Sequence, residues 1–330
     1  MVSELMHKRT LQLNNSNHRS WRCVLALTFL TLAVSCTSKQ SLNKEQIAEY
    51  EKQINDWHKH RLEQVTKRDG WLNLLGLYWL EPGANTFGTG RSNQIVFPDS
   101  TVNDKAGYFL VVGDRVEMHL FDSTSARING KNVLSGVVFN SDSARQPVVE
   151  NDRAAWTVIR RDKKFGIRLR DMTMKGLRSF HGVERFAIDP AYRIEANFQP
   201  SAGKTIDITN VIGQTTAQAS PGRITFKWKD EQYSLDVLEG GKSEYFIIVA
   251  DETNNKETYA GGRYLYVSHE DVNGNIVLDF NKAYNPPCVF TPYATCPLPP
   301  RQNVLPFAIY AGEKNYLHEQ GAIESKATGL

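Results

Sequence analysis

The feature that most constrains this chain is a period-two hydropathy pattern that starts after Asp69-Gly70 and recurs along most of the remaining residues. Val116, Met118 and Leu120 alternate with polar neighbours, and Phe165, Ile167 and Leu169 are set around Arg168 and Arg170. Tyr192, Ile194, Ala196 and Phe198 interleave with Arg193, Glu195 and Asn197, and Ile224, Phe226 and Trp228 repeat the theme. Successive side chains of a strand point to opposite faces, so each run reads as a half-buried strand. Asn129-Gly130, Asp162-Lys163, Lys229-Asp230 and Asn273-Gly274 punctuate the runs. The two Asn-Gly pairs are strong hairpin signals, because both residues tolerate positive φ. Short strands at this spacing predict antiparallel sandwiches or barrels.

One helix precedes them, over residues 42–66. Asn43 and Gln46 form a capping box, and Ile47, Tyr50, Ile54, Trp57, Leu62 and Val65 recur at helical spacing. Trp57 is expected to dock on the main body; His58 and His60, two apart, face different directions and read as solvated. The polar stretch 140–152, which contains Pro147, marks a boundary between a first β subdomain (67–145) and a second (146–316), with a tail at 317–330. The expected fold is therefore mainly β: an N-terminal helix docked on an antiparallel sandwich or barrel-like body made of two packed β subdomains.

The first 35 residues have another character. Lys8, Arg9, Arg19 and Arg22 precede the apolar run Cys23–Val34, which is 12 residues long. A bilayer core needs roughly 20 apolar residues, so the run fits a signal peptide better than a spanning helix. It ends in Ala33-Val34-Ser35-Cys36, which resembles a lipobox. The expectation is a signal peptide (1–35), lipid on Cys36 and a polar tether (36–41), placing the protein in the bacterial cell envelope, lipid-anchored at the outer membrane or periplasmic face. Residues 1–35 hold four basic side chains and one acidic one; without them 35 of each sign remain, where the whole chain is +3. That balance leaves no broad electrostatic footprint for nucleic acid, and the membrane, reached through the lipid, is the expected partner.

Cys288 and Cys296 are the two cysteines left, and in an oxidising compartment a disulfide is the default. Nucleophile elbows, His-Glu-x-x-His, phosphate loops and dinucleotide fingerprints are missing, no metal site is expected, and no cofactor is indicated. One segment stands out. Six of the 13 prolines fall between residues 286 and 300, in a stiff loop (281–302) that carries few ladder donors. A rigid loop of about 20 residues inside a compact domain is more often functional than idle.

The run Asp279-Phe280-Asn281…Tyr284-Asn285-Pro286-Pro287-Cys288…Ala294-Thr295-Cys296-Pro297-Leu298-Pro299-Pro300 resembles the signature of the family named domain of unknown function 1684. Gly70-Trp71-Leu72, Gly76–Leu80, Gly83–Gly88, Glu257-Thr258-Tyr259, Gly262-Arg263 and Ala311–Lys314 agree with it, so the resemblance spans roughly residues 50–316. It implies no defined chemistry. The candidate catalytic residues are Asp279, Glu257 and Cys288; the candidate ligand-binding residues are Arg263, Asn281, Tyr284, Asn285, Tyr293 and Glu313. By residue type His181 and His269 are the general-base candidates, each read as an ordinary turn histidine. The leading expectation is an envelope lipoprotein that binds a small polar or anionic ligand, or a cell-surface polymer, in a pocket walled by the 281–302 loop. The alternatives are a hydrolase-like enzyme, using a carboxylate or a Cys288 thiolate with Arg263 orienting substrate, and a purely structural envelope protein.

Overall fold

The computed structural model describes residues 42–316. The signal peptide, Cys36, the tether and the 317–330 tail lie outside the described residues. Helix α1 (Lys44–Val65) starts where the sequence places it. The Asn43 side chain accepts from Gln46 N, and the Gln46 side chain accepts from Asn43 N, both at 2.9 Å. Tyr50, Ile54 and Val65 are its buried residues.

The strands of the first half are β1 (Leu74–Leu80), β2 (Gly83–Gly88), β3 (Ile95–Val96), β4 (Gly107–Val112), β5 (Arg115–Leu120), β6 (Ala126–Ile128), β7 (Lys131–Val133), β8 (Ser135–Asn140), β9 (Val149–Glu150), β10 (Ala154–Arg161) and β11 (Lys164–Asp171). Those of the second half are β12 (Arg193–Pro200), β13 (Thr205–Thr209), β14 (Thr215–Ala219), β15 (Gly222–Trp228), β16 (Glu231–Glu239), β17 (Glu244–Val249), β18 (Arg263–Ser268) and β19 (Asn275–Asp279). Every pairing is antiparallel except β2 with β3.

Two sheets build the first half, in the orders β1-β11-β10-β9-β6-β7 and β3-β2-β4-β5-β8. Their alternating apolar residues meet in one core around Trp156, with Phe87, Phe97, Phe109 and Met118 from one side and Ile167 and Leu169 from the other. The polar stretch 140–152 does not divide the β units. The strands after it, β10 and β11, pair with each other, and β11 pairs with β1, so the first core runs through Leu169. The change of core comes between Asp171 and Tyr192.

The second half is built on a six-stranded sheet in the order β18-β17-β16-β15-β12-β19, curled into a nearly closed barrel around Ile224, Leu235, Ile247, Leu265 and Leu278, with β13 and β14 paired as a separate two-stranded sheet. Its two end strands, β18 and β19, lie side by side without a hydrogen-bond ladder between them. Of the four predicted turns, three close hairpins with a residue at positive φ: Asn129 (52°) with Gly130 (78°), Asp162 (52°) and Lys229 (54°). Asn273-Gly274 does not. Gly274 has φ of 80° and the chain reverses there, but β19 pairs with β12, matching Arg193 to Asp279 and Ala196 to Ile276. The Asp271 carboxylate fixes that reversal by accepting from the amides of Asn273 and Asn275.

Candidate functional site

The unpaired seam opens into a cavity of about 740 Å³. Helix α1 forms one wall with Tyr50, Gln53, Ile54 and Trp57, a spacing of three and four that puts all four on one helix face. β12 contributes Arg193 and Glu195, and β17 contributes Glu244. β18 and the turn after it supply Tyr266, Ser268, His269 and Asp271. β19 and the segment directly after it supply Asn275, Val277, Asp279, Lys282 and Tyr284.

Aromatic faces dominate one end. Tyr266 and Tyr284 stack with ring planes 10° apart and centroids at 6.3 Å, and Trp57 lies 6.3 Å from Tyr284. Tyr266 keeps 41% of its surface exposed. Burial pushes the Tyr266 and Tyr284 phenols up from their ordinary value, so both stay protonated and able to donate. The charged lining is acidic on balance: Glu195, Glu244, Asp271 and Asp279 face Arg193 and Lys282. His269 lies against the Tyr245 ring, 4.4 Å between centroids, and Tyr245 donates to Glu270.

Asp279 reaches the cavity from the outer face of its strand. Ile276 and Leu278 face the barrel core, while Val277, 39% exposed, and Asp279 share the outer face. Asp279 is nonetheless buried, because α1 lies over it. Tyr50 donates its hydroxyl to Asp279 Oδ1 at 2.8 Å, and Asn281 donates its backbone amide at 3.1 Å and its side-chain amide at 3.2 Å. Burial and the Asp279 carboxylate raise the Tyr50 phenol far above its ordinary value. No hydrogen bond from the described residues reaches Asp279 Oδ2.

The other predicted residues are placed elsewhere. Arg263, 1% exposed, does not face the cavity. Its guanidinium meets Asp251 at 2.7 Å and donates to the carbonyls of Ile309 and Ala311, pinning the C-terminal segment to β18. Glu257 is exposed and outside the lining. Cys288 is bonded to Cys296, with Cα atoms 6.1 Å apart, so the thiolate expected of a catalytic Cys288 does not exist. Asn281 supports the site from behind: it donates to Tyr50 Oη and to the Asp189 carbonyl. Tyr293 also lies outside the lining.

Asn285 and Glu313 belong to a buried cluster that ties α1 to the signature loop. The Asn285 amide donates to Glu313 Oε2 at 2.7 Å, and its side chain donates to the Lys314 carbonyl. Arg61 donates to the Asn285 carbonyl, approaches Glu313 Oε1 at 3.5 Å and lies 4.6 Å over the Tyr284 ring. Burial pushes the Glu313 carboxyl up, against the opposing pull of Arg61. Gly312 closes the cluster at φ of 79°, where a side chain would strike the Ala283 carbonyl. The signature segment is thus mainly a clamp, and only Asp279, Lys282 and Tyr284 of it line the cavity.

Sequence reasoning missed Glu195, Glu244, Tyr266 and Asp271. An exposed tyrosine on a strand is a weak signal for a site, and the carboxylates gain meaning only once β12, β17 and β19 are brought round the barrel. Among the described residues no cluster of three or more His, Cys, Asp or Glu side chains could hold a metal ion, and no helix is long and apolar enough to cross a membrane.

These features define a β-sandwich joined to a nearly closed antiparallel barrel, with a helix-walled cavity at the barrel's open seam. The family model described as "Protein of unknown function (DUF1684)" matches residues 178–314, so this part of the chain is similar to that family. The match takes in the barrel and the signature segment; Gly70–Leu80 and Gly83–Gly88 lie outside it. Among solved structures, the chain is similar to an uncharacterized protein of Haloarcula marismortui determined by solution NMR: 28% identity over 42% of this chain and 80% of that one, with a TM-score of 0.36. No curated protein matches.

Proposed function

We propose that this protein is a binding protein of the cell envelope, holding a small polar ligand or a segment of a cell-surface polymer in the seam cavity. The observation that carries the reading is the cavity itself: about 740 Å³, flanked by two unladdered strand edges, with aromatic faces at one end and carboxylates and amides around them. A few convergent polar groups beside aromatic walls are the usual make-up of a small-molecule site. Sugars fit this chemistry, since their C–H faces pack on aromatic rings while their hydroxyls donate to carboxylates. The excess of acids over bases disfavours an anionic ligand and favours a neutral or cationic one. Chitotetraose (neutral), its deacetylated form (cationic) and a tetramer of galacturonate (anionic) are the probes. Titration calorimetry is expected to give binding of the first two and none of the third, with at least tenfold weakening in Tyr266→Ala. Preferential binding of the galacturonate, or binding untouched by that substitution, would sink the reading.

The envelope address rests on the basic n-region, the short apolar run and Cys36. A Cys36→Ser variant is expected to leave the membrane fraction on cell fractionation; a variant that stays there, processed, would contradict lipidation.

A further inference from the structure

The outer face of the first β unit carries a second feature, none of whose arginines line the cavity. In β11, Ile167 and Leu169 point into the core, which turns Arg168 and Arg170 to the other face. The antiparallel register matches Arg161 of β10 to Lys164, and Lys164 shares the face of Arg168 and Arg170, so the three arginines lie on one side of one strand pair. All three are half-buried.

Partly buried arginines ordinarily pair with carboxylates. These do not. Arg161 donates to Thr295 Oγ1 at 3.0 Å and to the Arg160 carbonyl. Arg170 donates to the Asp69 carbonyl and to Thr157 Oγ1, with the Asp69 carboxylate acting on it only through space. The Arg168 side chain makes no hydrogen bond to the described residues. Its Nε is fully buried without a partner, and its guanidinium lies 5.0 Å from the Trp71 ring centroid. Burial and repulsion from Arg161 and Arg170 lower it to about 10. Like charges gathered out of water without a counter-charge cost stability unless something anionic joins them.

We infer that Arg161, Arg168 and Arg170 form a binding site for a phosphate-class oxyanion, with the hydroxyls of Thr157 and Thr295 beside it. Guanidinium forks match phosphate oxygens in geometry, and Trp71 holds the Arg168 plane in place. The loop residue Thr295 belongs to the family segment and Arg161 to the first β unit, so an oxyanion there would also tie the two together.

The test uses the full chain and inorganic phosphate, with chloride at matched ionic strength as control. Wild type is expected to rise by several degrees in Tm with millimolar phosphate. Arg168→Met keeps the packing against Trp71 and removes the charge; it is expected to be at least as stable as wild type in chloride and to lose the phosphate shift. Arg161→Gln is expected to weaken phosphate binding at least tenfold. Short-chain phosphatidate below its micelle concentration separates the two sources of the group. Binding more than tenfold tighter than inorganic phosphate assigns a lipid headgroup, and equal binding assigns free phosphate. Binding of neither probe to wild type, or a phosphate shift that persists in both variants, overturns the site.

Discussion

Single buried charges decide what the signature residues do. Arg263 has the look of an anion receptor in the sequence, because a guanidinium in a family-like segment is a natural partner for a carboxylate. The structure supplies that carboxylate internally as Asp251, whose other oxygen accepts from Thr253 and from the Ile309 amide. Arg263→Met therefore leaves Asp251 charged and buried, and is expected to cost about 3–5 kcal/mol of unfolding free energy in urea titration. A loss under 1 kcal/mol would show that the pair is not the pin described. Glu313 gives a pH signature. Its carboxyl is pushed up, so the native state holds its proton to a higher pH than the unfolded chain does. The stability tied to that proton is full below the ordinary glutamate range and is lost as pH rises through the folded value. Glu313→Gln cannot ionise, so relative to wild type it is expected to be more stable at pH 7 than at pH 4. The opposite ordering would mean that Arg61 outweighs burial. None of this is legible residue by residue, because Asp251 and Arg61 lie outside the quoted signature and only the fold brings them to it.

At the scale of elements, local signals are legible in the sequence and pairings less so. The Asn43–Gln46 box and the apolar spacing place α1 within a residue or two, since both signals are contained in the helix itself. The turn at Asn273-Gly274 is legible as a reversal and misleading as a hairpin. A turn sets where the chain bends, whereas the free edge of β12 sets where β19 pairs. The polar stretch 140–152 likewise has the composition of a boundary but is an ordinary connection inside one sandwich, because β10 and β11 carry the apolar faces that complete the first core. Helix α1 is docked partly through polar contacts: Tyr50 to Asp279 and Asn281, and Arg61 to Asn285 and Glu313. Tyr50→Phe leaves Asp279 Oδ1 short of a donor, and is expected to destabilise by about 1–3 kcal/mol. A chemical-denaturation midpoint indistinguishable from wild type would mean that the helix docks without that hydroxyl. The Cys288–Cys296 bond closes a short loop, and its reduction is expected to cost on the order of 2–3 kcal/mol on the chain-entropy account. Thermal melts with and without reductant measure it.

For the whole molecule, the mainly β class and the docked helix come from periodicity, but the cavity does not. Its walls come from α1, β12, β17, β18 and β19, and they meet only because the six-stranded sheet of the second half curls until its end strands, β18 and β19, are neighbours. Strand alternation gives each strand's faces and says nothing of which edge stays open. The central claim is that this edge pair is open and the cavity is where a ligand is held. Amide hydrogen exchange of the free protein tests it most directly. The Tyr264 amide donates to the Tyr284 carbonyl across the seam, so by alternation the amides of Tyr266 and Ser268 also point into the seam, while those of Leu265 and Val267 point to β17. The account predicts fast exchange at Tyr266 and Ser268, strong protection at Leu265 and Val267, and a gain of protection at the first two when chitotetraose is added. Equal protection at all four in the free protein would mean that β18 and β19 are laddered together, and the proposed binding site would be contradicted.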